Sequence, residues 1–344
     1  MKKFFRLILY ILVFLPILFL PFISEIVSVS VENSINVCIS TLIPSLFPFM
    51  FFSLLVGKFM GDMLSEIAAP LLMPLLGISK YACRSVIIGL LGGFPSGAQD
   101  AALLYTEKKI TKSEAERLPI FCNNAGLMFT IGAVGVSYLH SFKAGVVIYI
   151  YLLFSSLIAA LFTKPLKEDI SALPKEKISP LPSAGDFPNA FSFAVGKCIK
   201  NLAIICTNYT IFKVLCDVLC SYFGKNSKIL FLSGIIEVTG GVLSMPKTTE
   251  GLVAISFLLA FSGLSVIMQT MSFFAPLGLS VKKLFAGSLL KAVLSAFLMY
   301  VTFSDDLLSG RNFPPMAFYI SAVALPFILI FLFILKKTKA SAQS

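Results

Sequence analysis

Long runs of uncharged, mostly apolar residues are the dominant pattern of this 344-residue chain. A helix needs about 20 apolar residues to cross a hydrocarbon core roughly 30 Å thick. Several uncharged runs approach or exceed that length, and they lie at 7–24, 33–57, 118–142, 144–163, 251–281 and 312–335. The pattern therefore predicts an all-α polytopic membrane protein with roughly 8–10 transmembrane helices.

Glycine and proline interrupt several of the apolar segments, so some helices are predicted to be broken or re-entrant. The main interruptions fall at 92–100, 122–126, 234–241 and 261–269. A shorter apolar piece at 67–76 contains two prolines and is predicted to form a re-entrant or interfacial hairpin. Backbone groups freed at membrane depth persist only where protein or a water-filled cavity surrounds them. The four interruptions are therefore the predicted places for a polar site.

The interruptions form two similar sets, which predicts two related halves. The sequence GLLGGFPSG at 89–97 is echoed by GIIEVTGG at 234–241, and FCNNAGL at 121–127 by FSGLSVIMQ at 261–269. Paired, interrupted apolar segments at corresponding positions are typical of transporter repeats. We predict an N-terminal transmembrane anchor (1–34), a first repeat (35–163), a polar linker (164–190), a second repeat with the last span (191–335) and a tail (336–344).

Composition and charge narrow the class of protein. Charged residues make up 13% of the chain, against about 25% in soluble globular proteins. This excludes a soluble enzyme, a secreted disulfide scaffold and a nucleic-acid-binding domain as the main interpretation. The net charge of +11 is assigned to cytoplasmic loops rather than to nucleic acid. Lysines before the first span and after the last predict that both termini are cytoplasmic.

Enzyme and metal signatures are missing from the sequence. It contains no GxxxxGK[ST], HExxH or GxSxG motif, so we expect no enzymatic activity. His140 is the only histidine, and the seven cysteines lie almost entirely in apolar segments. A Cys/His metal cluster at the usual spacings is therefore not expected, and neither is a cofactor.

Polar residues at the first two interruptions are the first candidates for solute binding. Ser96 and Gln99 offer hydrogen bonds beside Gly97, which permits close backbone approach. Asn123 and Asn124 are adjacent carboxamides in an apolar run, where they are costly unless they bind a partner or a ligand. The alternative for both groups is a structural role in helix–helix packing.

The second half supplies the remaining candidates. Glu237 and Thr239 lie in the third interruption, and an intramembrane carboxylate is a functional hypothesis by default. Its alternative is an ion pair with Lys197, Lys200 or Lys213. Ser262 and Gln269 in the fourth interruption share a helix face with Ser265, either toward a cavity or as interhelical contacts. Asn201 and Asn208 are weaker candidates of the same kind.

Four motifs carry a resemblance to a known family. They are LIPSLFPF at 42–49, GFPSGA at 93–98, EAERL at 114–118 with FCNNA at 121–125, and GIIEVTGG at 234–241. With them the chain resembles the sporulation integral membrane protein YlbJ family of endospore-forming bacteria over about 35–300. The resemblance implies a nucleoside recognition (Gate) domain, which is also seen in the spore maturation proteins and the ferrous iron transporter B.

The resemblance implies a role in spore formation, in the mother-cell or forespore membrane, and kinship with concentrative nucleoside transporters. We therefore expect a transporter-like protein that moves a small polar solute by alternating access, with a nucleoside-like compound as the leading candidate. The alternative is a non-transporting scaffold of a spore-formation assembly. Expected partners are the lipid bilayer and the solute, with a homo-oligomer or sporulation membrane proteins left open.

Overall fold

The computed structural model describes residues 19–164 and 184–302, and every regular element in these two ranges is helical. Five helical segments are long and apolar enough to cross a membrane: 20–76, 142–162, 187–223, 249–277 and 282–301. Three shorter apolar helices lie between them, at 82–92, 128–138 and 227–236. The predicted all-α polytopic class is confirmed. The predicted last span, both termini and most of the linker fall outside the described residues.

The first spanning segment is a single long helix with two irregularities. A 3-10 turn at Leu20–Ile23 leads into α1 (Ser24–Val37), a π-helical stretch (Cys38–Leu42) and α2 (Ile43–Leu76). The helix runs without a break across the predicted domain boundary at 34/35. α2 bends at Met60, whose φ of −124° and ψ of 15° are not helical.

The predicted hairpin at 67–76 is wrong, because these residues are the last part of α2. Prolines inside a helix remove backbone donors, yet the helix continues through Pro70 and Pro74. The last carbonyls of a helix have no intrahelical partner, and here cationic side chains bind them. Lys164 Nζ donates to the Pro74 carbonyl at 2.9 Å, and Arg117 donates to the carbonyls of Leu76 and Gly77. The contacts therefore come from residues far along the chain, which local sequence does not reveal.

The remaining helices alternate long spans with short, broken ones. In chain order they are α3 (Ala82–Gly92), α4 (Ser96–Thr106), α5 (Lys112–Arg117), α6 (Pro119–Cys122), a π-helix (Met128–Tyr138), α7 (Phe142–Phe162), α8 (Phe187–Phe223), α9 (Ser227–Ile236), α10 (Val238–Val242), α11 (Thr249–Phe261), α12 (Gly263–Phe274) and α13 (Lys282–Val301). Because α8 begins at Phe187, the helix starts before the predicted end of the linker at 190.

One end of the bundle, which we call the linker face, is organised around α5. Glu114 Oε1 accepts a hydrogen bond from the Ser79 backbone at 2.5 Å, and Glu116 accepts one from Ser280 at 3.0 Å. Arg117 also donates to the Ala160 carbonyl, 3.0 Å away. The loops at 77–81, 107–111 and 278–281 and the residues flanking the linker therefore meet at this face. The opposite face holds the loops at 139–141 and 243–248, which the Tyr138 hydroxyl joins by donating to the Met245 carbonyl.

Candidate functional site

The two helix breaks of the first half touch each other. The first separates α3 from α4 at Gly93–Pro95, and the second separates α6 from the following π-helix at Asn123–Gly126. The Phe94 backbone N–H donates to the Asn124 carbonyl at 2.8 Å. A Cβ at Gly93, whose φ is +65°, would lie 2.7 Å from the Gly126 backbone. These backbone groups therefore satisfy one another without solvent.

Glycines on both sides of the first break allow the backbone beside the second break to pack closely against them. A Cβ at Gly89 would lie 1.8 Å from the Cys122 carbonyl oxygen, and one at Gly97 would lie 2.1 Å from the same atom. Close approach at Gly97, as predicted from the sequence, is thus observed. The space is filled by the chain's own Cys122 carbonyl.

The second half repeats this arrangement with different residues. Glu237 separates α9 from α10, and Ser262 separates α11 from α12 in a left-handed conformation with φ of 73°. A Cβ at Gly263 would lie 3.0 Å from the Val238 backbone nitrogen, so these two breaks are also in contact. All four predicted interruptions are breaks, and in each half the two breaks form a touching pair. The evolutionary relation between the halves stays a prediction.

Glu237 caps the helix that follows it. Its carboxylate accepts hydrogen bonds from the backbone of Thr239 at 3.0 Å and Gly240 at 2.6 Å, and the residue is 2% exposed. Negative charge is stabilised at a helix N-terminus. Among the lysines that the sequence offered as partners, Lys213 makes its ion pair with Asp217.

Side-chain contacts join the halves near the breaks. The amides of Gln99 and Asn201 pair reciprocally, with Nε2–Oδ1 and Nδ2–Oε1 distances of 3.0 and 2.6 Å. Asn123 Nδ2 donates to the Thr270 hydroxyl on α12 at 3.2 Å. Asn201 was only a weak candidate in the sequence, yet it is fully buried and directly opposite Gln99. Asn208, by contrast, bonds to the Ile204 carbonyl within its own helix.

A cavity of about 830 Å³, which we call the vestibule, lies between α2, α3 and α4 on one side and α8 and the end of α12 on the other. Gln99 and Asp100 line it. Its acidic residues on α2 and α4 are held by cations. Arg84 Nη2 lies 3.2 Å from Asp100 Oδ1, and Lys109 Nζ lies 3.3 Å from both Asp62 and Glu107.

Two vestibule cations, one from each wall, lie over an aromatic ring of α8. Lys58 Nζ of α2 and Lys197 Nζ of α8 lie 5.4 and 5.7 Å from the centre of the Phe193 ring. Lys200 lines the α8 wall with Lys197. Both walls therefore carry charges of both signs, since Asp186 at the start of α8 also lines the space.

A second, much smaller cavity of about 10 Å³ lies at the second-half breaks, with room for about one water molecule. Glu237, Thr239 and Gln269 line it, so three predicted site residues meet there with Ser265. Ile205 and Tyr209 of α8 also line it. They follow Asn201 at four-residue intervals, so one face of α8 leads from the amide pair to this small cavity.

Several buried polar atoms at the breaks lack a hydrogen-bond partner within the described residues. They are Ser96 Oγ, Asn123 Oδ1, Ser265 Oγ and Gln269 Oε1. Buried polar groups are usually satisfied, so each of these atoms is available to a ligand or to water. Ser262 points elsewhere, because its hydroxyl reaches only the Leu259 carbonyl of its own helix, 3.5 Å away.

The sequence analysis missed one buried charge. Lys291, in the middle of α13, has an exposed fraction of 0%, and its Nζ lies 2.9 Å from Asn124 Oδ1. Asn124 Oδ1 also accepts from the Ser156 hydroxyl at 2.8 Å. The sequence does contain a signal for this residue, because Lys291 is a lone charge in an apolar run, as Glu237 is. Because Lys291 lies on α13, this hydrogen bond joins the second half to the second break of the first half.

Metal ligands do not cluster in the part of the chain that is described. Across 19–164 and 184–302, no three His, Cys, Asp or Glu side chains are close enough to hold a metal ion. Six of the seven cysteines are buried, and Cys206 is half-buried.

Comparison with known proteins found a relative of similar sequence. An alignment of 248 residues with a protein of Bacillus subtilis (strain 168) is 27% identical and covers 61% of the chain. The chain is similar to the sporulation integral membrane protein YlbJ. The aligned part spans 60% of the length of YlbJ. The resemblance to the YlbJ family predicted from the motifs is confirmed, whereas the likeness to Gate domains stays a prediction. No family model and no solved structure matches the chain.

Proposed function

We propose that this protein is a membrane transporter of spore formation that moves a small polar solute by alternating access. The observation that carries the proposal is the 830 Å³ vestibule between the two halves, which reaches Gln99 beside the first break. A transporter needs a polar space between its halves, and broken helices at a midplane site are typical of such proteins. The role in spore formation rests on the similarity to YlbJ.

The proposed solute site comprises the residues around the small cavity, which must widen to admit a solute because it now has room for about one water molecule. Ser265 Oγ and Gln269 Oε1 are buried there without a partner in the described residues, and Glu237 adds a carboxylate. Gln99 lines the vestibule, and its partner Asn201 lies one helical turn from Ile205 of the small cavity, so this pair is the proposed inner gate. Opening it would let solute pass from one cavity to the other.

The described lining of the vestibule combines five basic and five acidic side chains, so it favours a polar solute rather than an anion. Lys197 and Lys200 lie on α8 and Lys58 on α2, while Arg84 and Lys109 hold acidic residues. Phe193 adds an aromatic face between two of the lysines. A nucleoside-like compound carries both polar groups and an aromatic base, so it is the leading candidate among small polar solutes.

The vestibule is proposed to face the cytoplasm. The linker face carries eight described cations, namely Lys80, Lys108, Lys109, Lys112, Arg117, Lys164, Lys282 and Lys283. Near the opposite face there are four, namely Lys143, Lys225, Lys228 and Lys247. Cytoplasmic loops carry the excess of lysine and arginine in membrane proteins.

A ligand screen by thermal unfolding of the purified full chain tests the proposal. The panel contains nucleosides, nucleoside monophosphates, nucleobases, amino acids and inorganic phosphate. A solute at 100 times its Kd stabilises the folded state by about 2.7 kcal/mol. The shift should disappear in Gln269→Leu and persist in Ser256→Ala, which removes another buried, unpartnered hydroxyl outside the small cavity. A stabilising solute is then tested for flux across reconstituted vesicles.

A second candidate function is the non-transporting scaffold. It is favoured by the fact that several predicted site residues bind each other or their own helix, as Gln99 binds Asn201 and Glu237 caps α10. No stabilising solute in the panel, together with a stable complex with other sporulation membrane proteins, would support this function over transport.

A further inference from the structure

Lys291 is a buried amine whose main partner is a neutral side chain. Its exposed fraction is 0%, and its Nζ donates to Asn124 Oδ1 at 2.9 Å. No carboxylate oxygen lies within 4.0 Å of Nζ in the described ranges 19–164 and 184–302. Burying an ammonium without a counter-ion is costly, and an ionisable side chain inside a spanning helix is a functional candidate by default.

The acceptor of the Lys291 amine is held at a helix break. Asn124 is part of the second break, two residues after the end of α6. Asn124 Nδ2 donates to the Phe121 carbonyl at 2.9 Å, and this bond turns Oδ1 toward Lys291 and Ser156. The break therefore presents a fixed, oriented oxygen to the amine.

We propose that the break at Asn124 is a binding site for a primary ammonium ion, and that the chain fills this site with its own Lys291 side chain. Lys291 thereby acts as a tethered cation that fixes the second break to α13. The first half then needs no free cation at this place, whatever solute the protein carries. This inference does not depend on the proposed transport function.

Chemical rescue tests the proposal. Lys291→Ala removes three carbons and the ammonium group, the same atoms that make up n-propylammonium. In the purified full chain, n-propylammonium should raise the unfolding midpoint of Lys291→Ala by at least about 2 °C over sodium at equal ionic strength. The unsubstituted protein should not respond. Tetramethylammonium, which has no N–H group, should not stabilise the variant either.

Met299→Ala is the matched control, because Met299 lies on the same helix and is also 0% exposed. It creates a buried gap without removing a charge, so n-propylammonium should leave its midpoint unchanged. Equal shifts in Met299→Ala and Lys291→Ala, or no shift in either, would overturn the proposal.

A second measurement applies if Lys291→Ala does not fold. Lys291→Met keeps the volume of the side chain and removes its amine. Asn124→Ala should then lower the unfolding midpoint clearly less in the Lys291→Met background than in the unsubstituted protein, because the shared contact is already gone. Equal losses in the two backgrounds would show that Asn124 does not hold Lys291, and the proposal would fail.

Discussion

Gln99 and Asn201, 102 positions apart in the sequence, satisfy each other's side-chain amides through two hydrogen bonds. One residue follows the first helix break and the other lies on the long helix α8 of the second half. Gln99 also lines the vestibule, so the pair is both a contact between the halves and the proposed gate.

The losses of unfolding free energy from removing the two members of this pair should not be additive. Gln99→Leu leaves the Asn201 amide buried without its partner, which should lower the free energy of unfolding by about 1–3 kcal/mol. Asn201→Leu should have a similar effect. The double variant should lose clearly less than the sum of the single losses. Thermal or denaturant unfolding in detergent measures all three, and strictly additive losses would show that the amides act independently.

Gly89→Ala should be severely destabilising, because its Cβ would lie 1.8 Å from the Cys122 carbonyl oxygen. Backbone on both sides leaves no flexible side chain to move away, so we expect a loss of about 3 kcal/mol or failure to fold. Gly196→Ala is the control, since a Cβ there meets nothing within 4 Å. In the middle of α8 it should be neutral or stabilise by up to about 1 kcal/mol. Similar midpoints for the two variants would contradict the packing described at the first break.

Glu237 should act both as a helix cap and as a ligand group, and two variants separate these roles. Glu237→Ala removes both capping bonds and should cost about 0.5–2 kcal/mol of unfolding free energy. Glu237→Gln keeps one acceptor oxygen and should lose less. Thr248→Ala removes the cap of α11 away from the small cavity. In the thermal screen, Thr248→Ala should still be stabilised by the solute. An unchanged solute response in Glu237→Gln would show that the negative charge is not used in binding.

Arg117 should stabilise the linker face far more than its neighbours on the surface. It is 3% exposed and donates to backbone carbonyls of three residues: Leu76, Gly77 and Ala160. Arg117→Met should therefore cost about 2–5 kcal/mol, since several carbonyls lose their donor at once. Lys112→Met on the same short helix, where Lys112 is exposed, should stay within about 0.5 kcal/mol of the unsubstituted protein. An Arg117→Met midpoint as high as that of Lys112→Met would refute this role.

Cysteine labelling tests the orientation. Thr106→Cys places a thiol in the vestibule wall, and Lys225→Cys places an exposed one near the opposite face. With a membrane-impermeant maleimide, Thr106→Cys should react in inside-out vesicles and Lys225→Cys in intact cells stripped of their wall. The unsubstituted chain gives the background, which should be low because six native cysteines are buried. The reverse pattern would place the vestibule on the outer side.

The helix class and the places of the four breaks could be predicted from local sequence alone. A glycine-rich stretch such as the one around Gly93 weakens a helix wherever it occurs, because the cause is local backbone chemistry. The hairpin predicted at 67–76 failed for the opposite reason. Proline argues against a helix locally, whereas Arg117 and Lys164 bind the carbonyls at the end of this helix from distant parts of the chain.

The sequence by itself determined that this is an all-α membrane protein with interrupted helices, since burial in lipid demands apolar length and satisfied backbone groups. Only the tertiary structure decided how those interruptions pair, because contacts such as Gly93 with Gly126 depend on where whole helices meet. It also decided that Asn124 binds Lys291, and that Gln99 binds Asn201 rather than facing open space. Partner choice for a buried polar group depends on three-dimensional proximity, which residue type and spacing along the chain do not specify.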